Sequence, residues 1–211
     1  TKLSPNHSGR RNHVIDTVSI HCMAGNASVE TCGALFADPS RKASSNYGIG
    51  SDGRIALYVE EANRSWCTSN AANDHRAITI EVANNGGAPD WPVSDKAYAA
   101  LLDLLTDICR RNGLKKLLWK GDKSLIGQVD KQNMTVHRWF AAKACPGDYL
   151  YRRHGQIAAE VNRRLEEEEE TVDIAKLIAE MTNEQAYQLL QKAELHAKTV
   201  AEPAWSQQEG H

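Results

Sequence analysis

Apolar and polar residues alternate from Val18 to His21, and residues 14–21 predict a half-buried strand that ends on the histidine. Ser28 stands where it can cap a short helix whose apolar positions Val29, Cys32, Leu35 and Phe36 share one face. Residues 46–50 and 54–59 read as paired strands, with Asp52-Gly53 as the tight turn between them. Residues 77–82 are rich in β-branched side chains and predict another strand. The stretch between them, 63–76, is polar and is read as a loop. Ser94 then opens a long helix. Tyr98, Leu101, Leu102, Leu105, Ile108 and Cys109 recur along it at helical spacing, and Gly113 supplies a left-handed stop. Residues 134–137 predict a short strand, and 148 to about 167 a helix with Tyr149, Ile157, Val161 and Leu165 facing inward. Strands with helices between them imply an α/β (α+β-like) fold, a central mixed sheet flanked by helices.

The pattern changes near Glu166. Residues 166–170 are all glutamate, and 166–171 are read as an acidic linker or helix end, because like charges oppose compaction. Beyond it, Val172, Ile174, Leu177 and Ile178 suggest a short helix. Thr182-Asn-Glu-Gln185 has the form of a capping box before a second helix with Tyr187, Leu189, Leu190 and Leu195. The expected organisation is a catalytic domain over 1–165 and a helical C-terminal appendage over 172–211. That appendage is read as packing back on the main domain, as a linker or dimerisation element, or as the beginning of a further module. Two short helices bury little by themselves, so a homodimer through them is one expectation.

Length and charge narrow the functional classes. A chain of 211 residues holds one core of roughly 150 residues and an appendage. A formal net charge of -2 gives no electrostatic case for nucleic acid or a membrane surface as partner. No apolar run reaches the roughly 18 residues that a span requires. Residues 1–13 are polar and basic, so no signal peptide is expected there. The five cysteines, Cys22, Cys32, Cys67, Cys109 and Cys145, are odd in number and irregular in spacing, which makes a poor disulfide framework. Cys109 fits a small core residue. Some pairing among Cys22, Cys32 and Cys67 remains open.

The candidate chemistry lies in His21 and in the run from Thr135 to Gly147, which contains His137, Lys143, Cys145 and Pro146. Two imidazoles and a thiolate form a three-ligand zinc set with a fourth tetrahedral position open, the arrangement of catalytic rather than structural zinc. Pro146 biases Cys145 away from helix, so a turn there would return the thiol toward His137. Each residue alone also has an ordinary reading. A strand-end histidine is commonly a surface hydrogen bonder, and a lone cysteine a small buried residue. A structural zinc site would need a fourth donor, for which only Cys22, beside His21, offers itself. A nucleobase deaminase would need a Pro-Cys-x-x-Cys pair and a His-x-Glu, and neither is present.

Four segments in order carry a resemblance. They are Ser19-Ile-His21, Asn46-Tyr47-Gly-Ile before Asp52-Gly53, Ile78-Thr-Ile-Glu81-Val, and His137 followed by Lys143-Ala-Cys-Pro146. Over roughly residues 14–165 the chain resembles the type-2 N-acetylmuramoyl-L-alanine amidases. These share a fold with the peptidoglycan recognition proteins and include many phage endolysins. The resemblance implies one zinc ion held by His21, His137 and Cys145. It also implies active-site roles for Tyr47, for Lys143 two residues before the third ligand, and for Glu81 as acid and base. Trp66, Arg138, Trp139 and Asn84 are expected along the substrate groove. The implied substrate is bacterial peptidoglycan, cut between N-acetylmuramic acid and L-alanine, with a muropeptide-binding module that does not cut as the alternative. The implied setting is synthesis in a bacterial host cytoplasm and action on the wall, with a secreted autolysin as the other reading. His13 and His75 carry no motif and are read as surface residues.

Overall fold

The computed structural model describes residues 3–201. In chain order the larger part of the chain contains β1 (His7–Arg10), β2 (Thr17–Cys22), α1 (Val29–Ala37), β3 (Tyr47–Ile49), β4 (Ile55–Leu57), β5 (Asn63–Ser65), α2 (Ala71–Arg76), β6 (Ala77–Val82), α3 (Asp95–Asn112) and β7 (Met134–Thr135). α4 (Gly147–Glu180) and α5 (Asn183–Ala201) follow. Five strands form a mixed sheet in the order β4-β3-β6-β2-β7. β3, β6, β2 and β7 run parallel to their neighbours, and β4 returns antiparallel along the edge. β1 and β5 pair separately. The expected mixed sheet with flanking helices is therefore present.

The two faces of the sheet differ, and the difference positions the site. Val18 and Ile20 of β2, Ile78, Ile80 and Val82 of β6, and Ile49 of β3 join Leu101, Leu105 and Ile108 of α3 and Leu150, Ile157 and Val161 of α4 in the main core. The alternate residues point the other way. Ser19, His21 and Thr79 lie on that second face and are fully buried. β2 is thus buried along its whole length, not half-buried as the alternation suggested. The polar side chains on this face of the sheet meet other polar groups instead of water. Asn46 accepts from the Thr79 amide through its side-chain oxygen and donates to the Val59 carbonyl, and Ser65 and Thr79 share a hydrogen bond. α1 covers the outer part of this face, with Val29, Cys32 and Phe36 packed on Ala56 and Tyr58.

Local signals explain the elements. The Ser28 and Ser94 hydroxyls accept from the Thr31 and Ala97 amides at the starts of α1 and α3. Gly113 ends α3 at φ 69°, in the left-handed region, and its amide reaches back to the helix carbonyls. The region read as a loop, 63–76, instead holds β5 and α2. Asn70 caps α2 by accepting from the Asn73 amide.

The chain divides into two compact units between Leu165 and Glu166. In the second, Glu166 to Glu170, expected as a linker or a helix end, are helical and exposed. Thr182 and Gln185 form the expected capping box, each amide meeting the other's side-chain oxygen. Val172, Ile174, Leu177, Tyr187, Leu189 and Leu190 are exposed. The side chains of Ile178 and Leu195 and all of residues 202–211 lie outside the described residues. Among those described, no helix is long and apolar enough to cross a membrane.

Candidate metal centre and groove

Three neighbouring parallel strands carry the site at their carboxyl ends, where crevices form in sheets of this kind. His21 is the fifth residue of β2 and stands in register with Glu81 of β6. β7 pairs Met134 and Thr135 with Val18 and Ser19, which brings His137, two residues later, up beside His21. The two rings are 5.2 Å apart, centroid to centroid. Cys145 arrives on the turn before α4. Its Sγ lies 3.3 Å from Nδ1 of His21 and accepts from the Cys22 amide at 3.4 Å. Ligand atoms of His21, His137 and Cys145 all fall within 4.8 Å of one another.

Hydrogen bonds orient both rings. Nε2 of His21 is 3.1 Å from Ser19 Oγ, and that hydroxyl donates to the Thr135 carbonyl. Having spent its own hydrogen, the serine oxygen must accept from Nε2–H, so the network assigns Nδ1 as the bare nitrogen. Nδ1 is the atom that faces Cys145 and Glu81. Ser69 Oγ sits 3.1 Å from Nε2 of His137. Such outer partners commonly fix the tautomer of metal-binding histidines. Burial, with His137 adding to it, holds the His21 imidazole well below its ordinary value, and burial with Lys143 lowers His137. Both rings are therefore neutral and able to donate lone pairs. Burial also drives the Cys145 thiol well above its ordinary range, an effect that Cys22 and Glu81 strengthen. A divalent cation is the natural counterweight, because it favours the thiolate. Two neutral imidazoles and a thiol within one ion's reach fit zinc.

Glu81 forms the floor beside this set. One carboxylate oxygen is 4.0 Å from His21 Nδ1 and accepts from the Cys67 thiol at 3.8 Å. The other is buried without a hydrogen-bond partner. Leaving such an oxygen unsatisfied costs about 1–3 kcal/mol. Burial, then Cys22, pushes the carboxyl up to about 8, against the pull of the Cys67 hydrogen bond. A groove of about 420 Å³ opens over Glu81, His137, Lys143 and Cys145, with Trp66, Trp91 and Arg41 among its other walls. Lys143 is exposed.

Other expected groove residues stand elsewhere. Tyr47 faces the main core, because its neighbour Gly48 is the residue in register with Glu81 and side chains alternate along a strand. Its hydroxyl donates to Glu61 at 2.8 Å, and burial with Glu61 pushes that hydroxyl up to about 12. The Tyr58 ring takes up the space over Gly48, where a Cβ would come within 2.4 Å of it. Trp139 is buried and stacks on Trp119 at 5.1 Å with an interplanar angle of 3°. The 3-10 turn that presents His137 to the groove directs this residue inward. Arg138 holds the cysteine turn together. Its amide donates to the Cys145 carbonyl, its guanidinium to the Ala144 carbonyl and Asp148, and it lies over Tyr151. Asn84 is buried and donates to the Trp91 carbonyl, so it shapes the groove wall from behind. Of the four expected groove residues, Trp66 alone lines it.

Sequence reasoning missed Ser19, Ser69, Cys67 and Trp91. Ser19 had a visible signal, two residues before His21 on the same strand face. Trp91 had none. It sits in an irregular loop at φ 50°, a rare conformation for a bulky residue, and packs against Gly147. A Cβ on Gly147 would lie 2.6 Å from that of Trp91. All five cysteines are free thiols, and Cys109 is buried in the main core.

The solved structures that resemble the chain include PlyL (TM-score 0.53, 13% identity, covering 76% of this chain and 94% of that one). A mutant endolysin from Bacillus subtilis gives a TM-score of 0.55 at 15% identity, covering 76% and 98%. A selenomethionine derivative of AmpD gives 0.53 at 18%, covering 74% and 93%. At these identities the likeness establishes the fold. Comparison with curated protein sequences finds no match. The family described as N-acetylmuramoyl-L-alanine amidase matches residues 11–148, more than half of the chain, and the chain belongs to that family.

Proposed function

We propose that the groove hydrolyses the amide between N-acetylmuramic acid and L-alanine in bacterial peptidoglycan, with one zinc ion held by His21, His137 and Cys145. The observation that supports this most directly is the convergence of those three side chains with Glu81 at the ends of three adjacent strands. Zinc in such a set polarises a carbonyl and lowers the pKa of water. The protein's own groups do the rest. Glu81, with one oxygen free of partners and its ionised form favoured once a cation is held beside it, takes the proton of the attacking water and returns it to the departing amine. The Lys143 ammonium, exposed on the groove wall, stabilises charge developing on the carbonyl oxygen. Trp66 and Trp91 offer flat faces to the sugar or the lactyl group. Arg138 sets the position of Cys145 and Lys143 by bracing their turn.

Cutting this bond separates stem peptides from glycan strands and weakens the wall, so lysis is the expected consequence. The deciding experiment is digestion of purified peptidoglycan by the zinc-loaded protein. New L-alanine amino termini without new reducing ends support the reading. New reducing ends alone would make the protein a glycosidase, and binding without either product would leave a recognition module. Metal analysis should return close to one zinc per chain.

A further inference from the structure

His21 is a member of two ligand sets, not one. Its Nδ1 lies 3.3 Å from the Cys145 sulfur and 4.0 Å from a Glu81 oxygen, and the Cys67 thiol donates to that same oxygen. Ligand atoms of His21, Cys67 and Glu81 also lie within 4.8 Å of one another. We propose that His21, Cys67 and Glu81 form a second, alternative position for a thiophilic divalent cation such as zinc or cobalt, beside the first and sharing His21 with it.

Three observations carry this. The first is distance. Around a tetrahedral zinc ion, with bonds of about 2.0–2.3 Å, ligand atoms lie about 3.5 Å apart. The separations here are 4.0 Å from His21 to Glu81 and 3.8 Å from Glu81 to Cys67, with His21 and Cys67 within 4.8 Å of each other, so side-chain shifts of about an ångström would close the set. The second is the other Glu81 oxygen, Oε2, which is buried without a partner and would be satisfied where the carboxylate holds the cation through both oxygens. The third is chemical. A carboxylate and a thiol enclosed together have only a weak hydrogen bond between them, whereas a cation bound to both would satisfy each. Binding exchanges the Cys67 S–H bond for a sulfur–metal bond and releases the proton to solvent. One lone pair on Nδ1 serves one ion at a time, so occupancy of the two positions is mutually exclusive. An ion in the second position engages Glu81 and leaves His137 and Cys145 without it.

The test uses Co2+ on the full chain, with thiolate-to-cobalt charge-transfer absorption and bound-metal stoichiometry as readouts. Neither depends on activity, so the result stands apart from the fate of the amidase reading. In Cys145→Ser the first set loses its only thiolate. The variant is expected to keep about one Co2+ at affinity reduced tenfold or more, with a charge-transfer band still present. Adding Cys67→Ser should abolish the band, and adding Glu81→Gln should weaken binding a further tenfold or more. Loss of the band in Cys145→Ser alone would overturn the proposal. So would its survival in the Cys67→Ser double variant, which would place the thiolate on Cys22. Cys145→Ala provides the same comparison should the serine variant fail to fold, and circular dichroism checks folding in each.

Discussion

The Ser19 hydroxyl oxygen lies 3.1 Å from Nε2 of His21 and passes its own hydrogen to the Thr135 carbonyl. One strand residue thus decides which nitrogen of the histidine two positions later is bare. Ser19→Ala removes this constraint without changing a proposed ligand. The ring is then free to adopt the other tautomer, and zinc affinity should fall about 10–100-fold. Competition with a chelator measures it. Unchanged affinity would mean that the serine has no part in orienting the ring.

Lys143 and Cys145 should separate chemistry from metal binding. Lys143→Ala is expected to retain one zinc and to lose about 100-fold in kcat, since a charge aimed at a developing oxyanion acts mainly in the transition state. Cys145→Ser should lose more activity and bind zinc more weakly as well. Amidase rates alongside metal content distinguish them. Equal metal loss in both variants would show Lys143 to be a structural contributor.

Tyr47→Phe tests the point at which motif order and strand geometry disagree. Tyr47 occupies the right place in the chain for an active-site tyrosine, yet its hydroxyl is hydrogen-bonded to Glu61. The substitution should leave kcat within about twofold and lower unfolding free energy by about 1 kcal/mol, the usual worth of one such bond. Urea unfolding and product release measure the two quantities. A rate loss of a hundredfold would return the tyrosine to the chemistry.

What the sequence made legible follows what hydrophobic burial controls. β6 and α3 bury apolar side chains at the period of their own geometry, and Ser94 and Gly113 mark the helix ends. His21, His137 and Cys145 were readable because their side-chain types and order restrict the chemistry. β5 and α2 were hidden because polar groups bury them. Asp74 accepts from the Thr68 hydroxyl and from the amides of Cys67 and Thr68, and such a network has no hydrophobic period to detect. Tyr47 and Trp139 lie away from the groove for a related reason. A motif gives position along the chain, whereas the face a side chain occupies depends on strand register and on the turn after His137.

Gly147→Ala should damage the groove from outside it. Gly147 adopts φ 81°, and an added Cβ would lie 2.6 Å from Trp91 Cβ and 2.8 Å from the Asp90 carbonyl oxygen. Strain and overlap together should cost about 3 kcal/mol. Because Trp91 lines the groove, KM should rise more than kcat falls in whatever fraction stays folded. A variant with wild-type stability would show that the loop before α3 yields easily.

His154 gives the fold a pH dependence whose sign can be worked out. The ring is fully buried, 4.4 Å from Trp119, and Nδ1–H donates to the Leu150 carbonyl at 2.7 Å. Nε2 is buried with no hydrogen-bond partner, so a second proton would have no acceptor. Burial, opposed by the Leu150 carbonyl and helped by Arg138, lowers its pKa to about 4 from an ordinary 6.5. Above the ordinary value the ring is neutral in both folded and unfolded chains and its contribution is fully present. Below it the unfolded ring takes up a proton that the folded ring refuses, and stability falls by about 1.4 kcal/mol per pH unit. The loss ends near pH 4, where the folded ring protonates too, after a total of about 3 kcal/mol. His154→Asn keeps a short amide donor near the Leu150 carbonyl and removes the titration. Urea unfolding between pH 6.5 and pH 4.5 should therefore show a slope shallower than wild type by about one proton's worth. Parallel slopes would mean that the buried ring accepts its proton as readily as a free one.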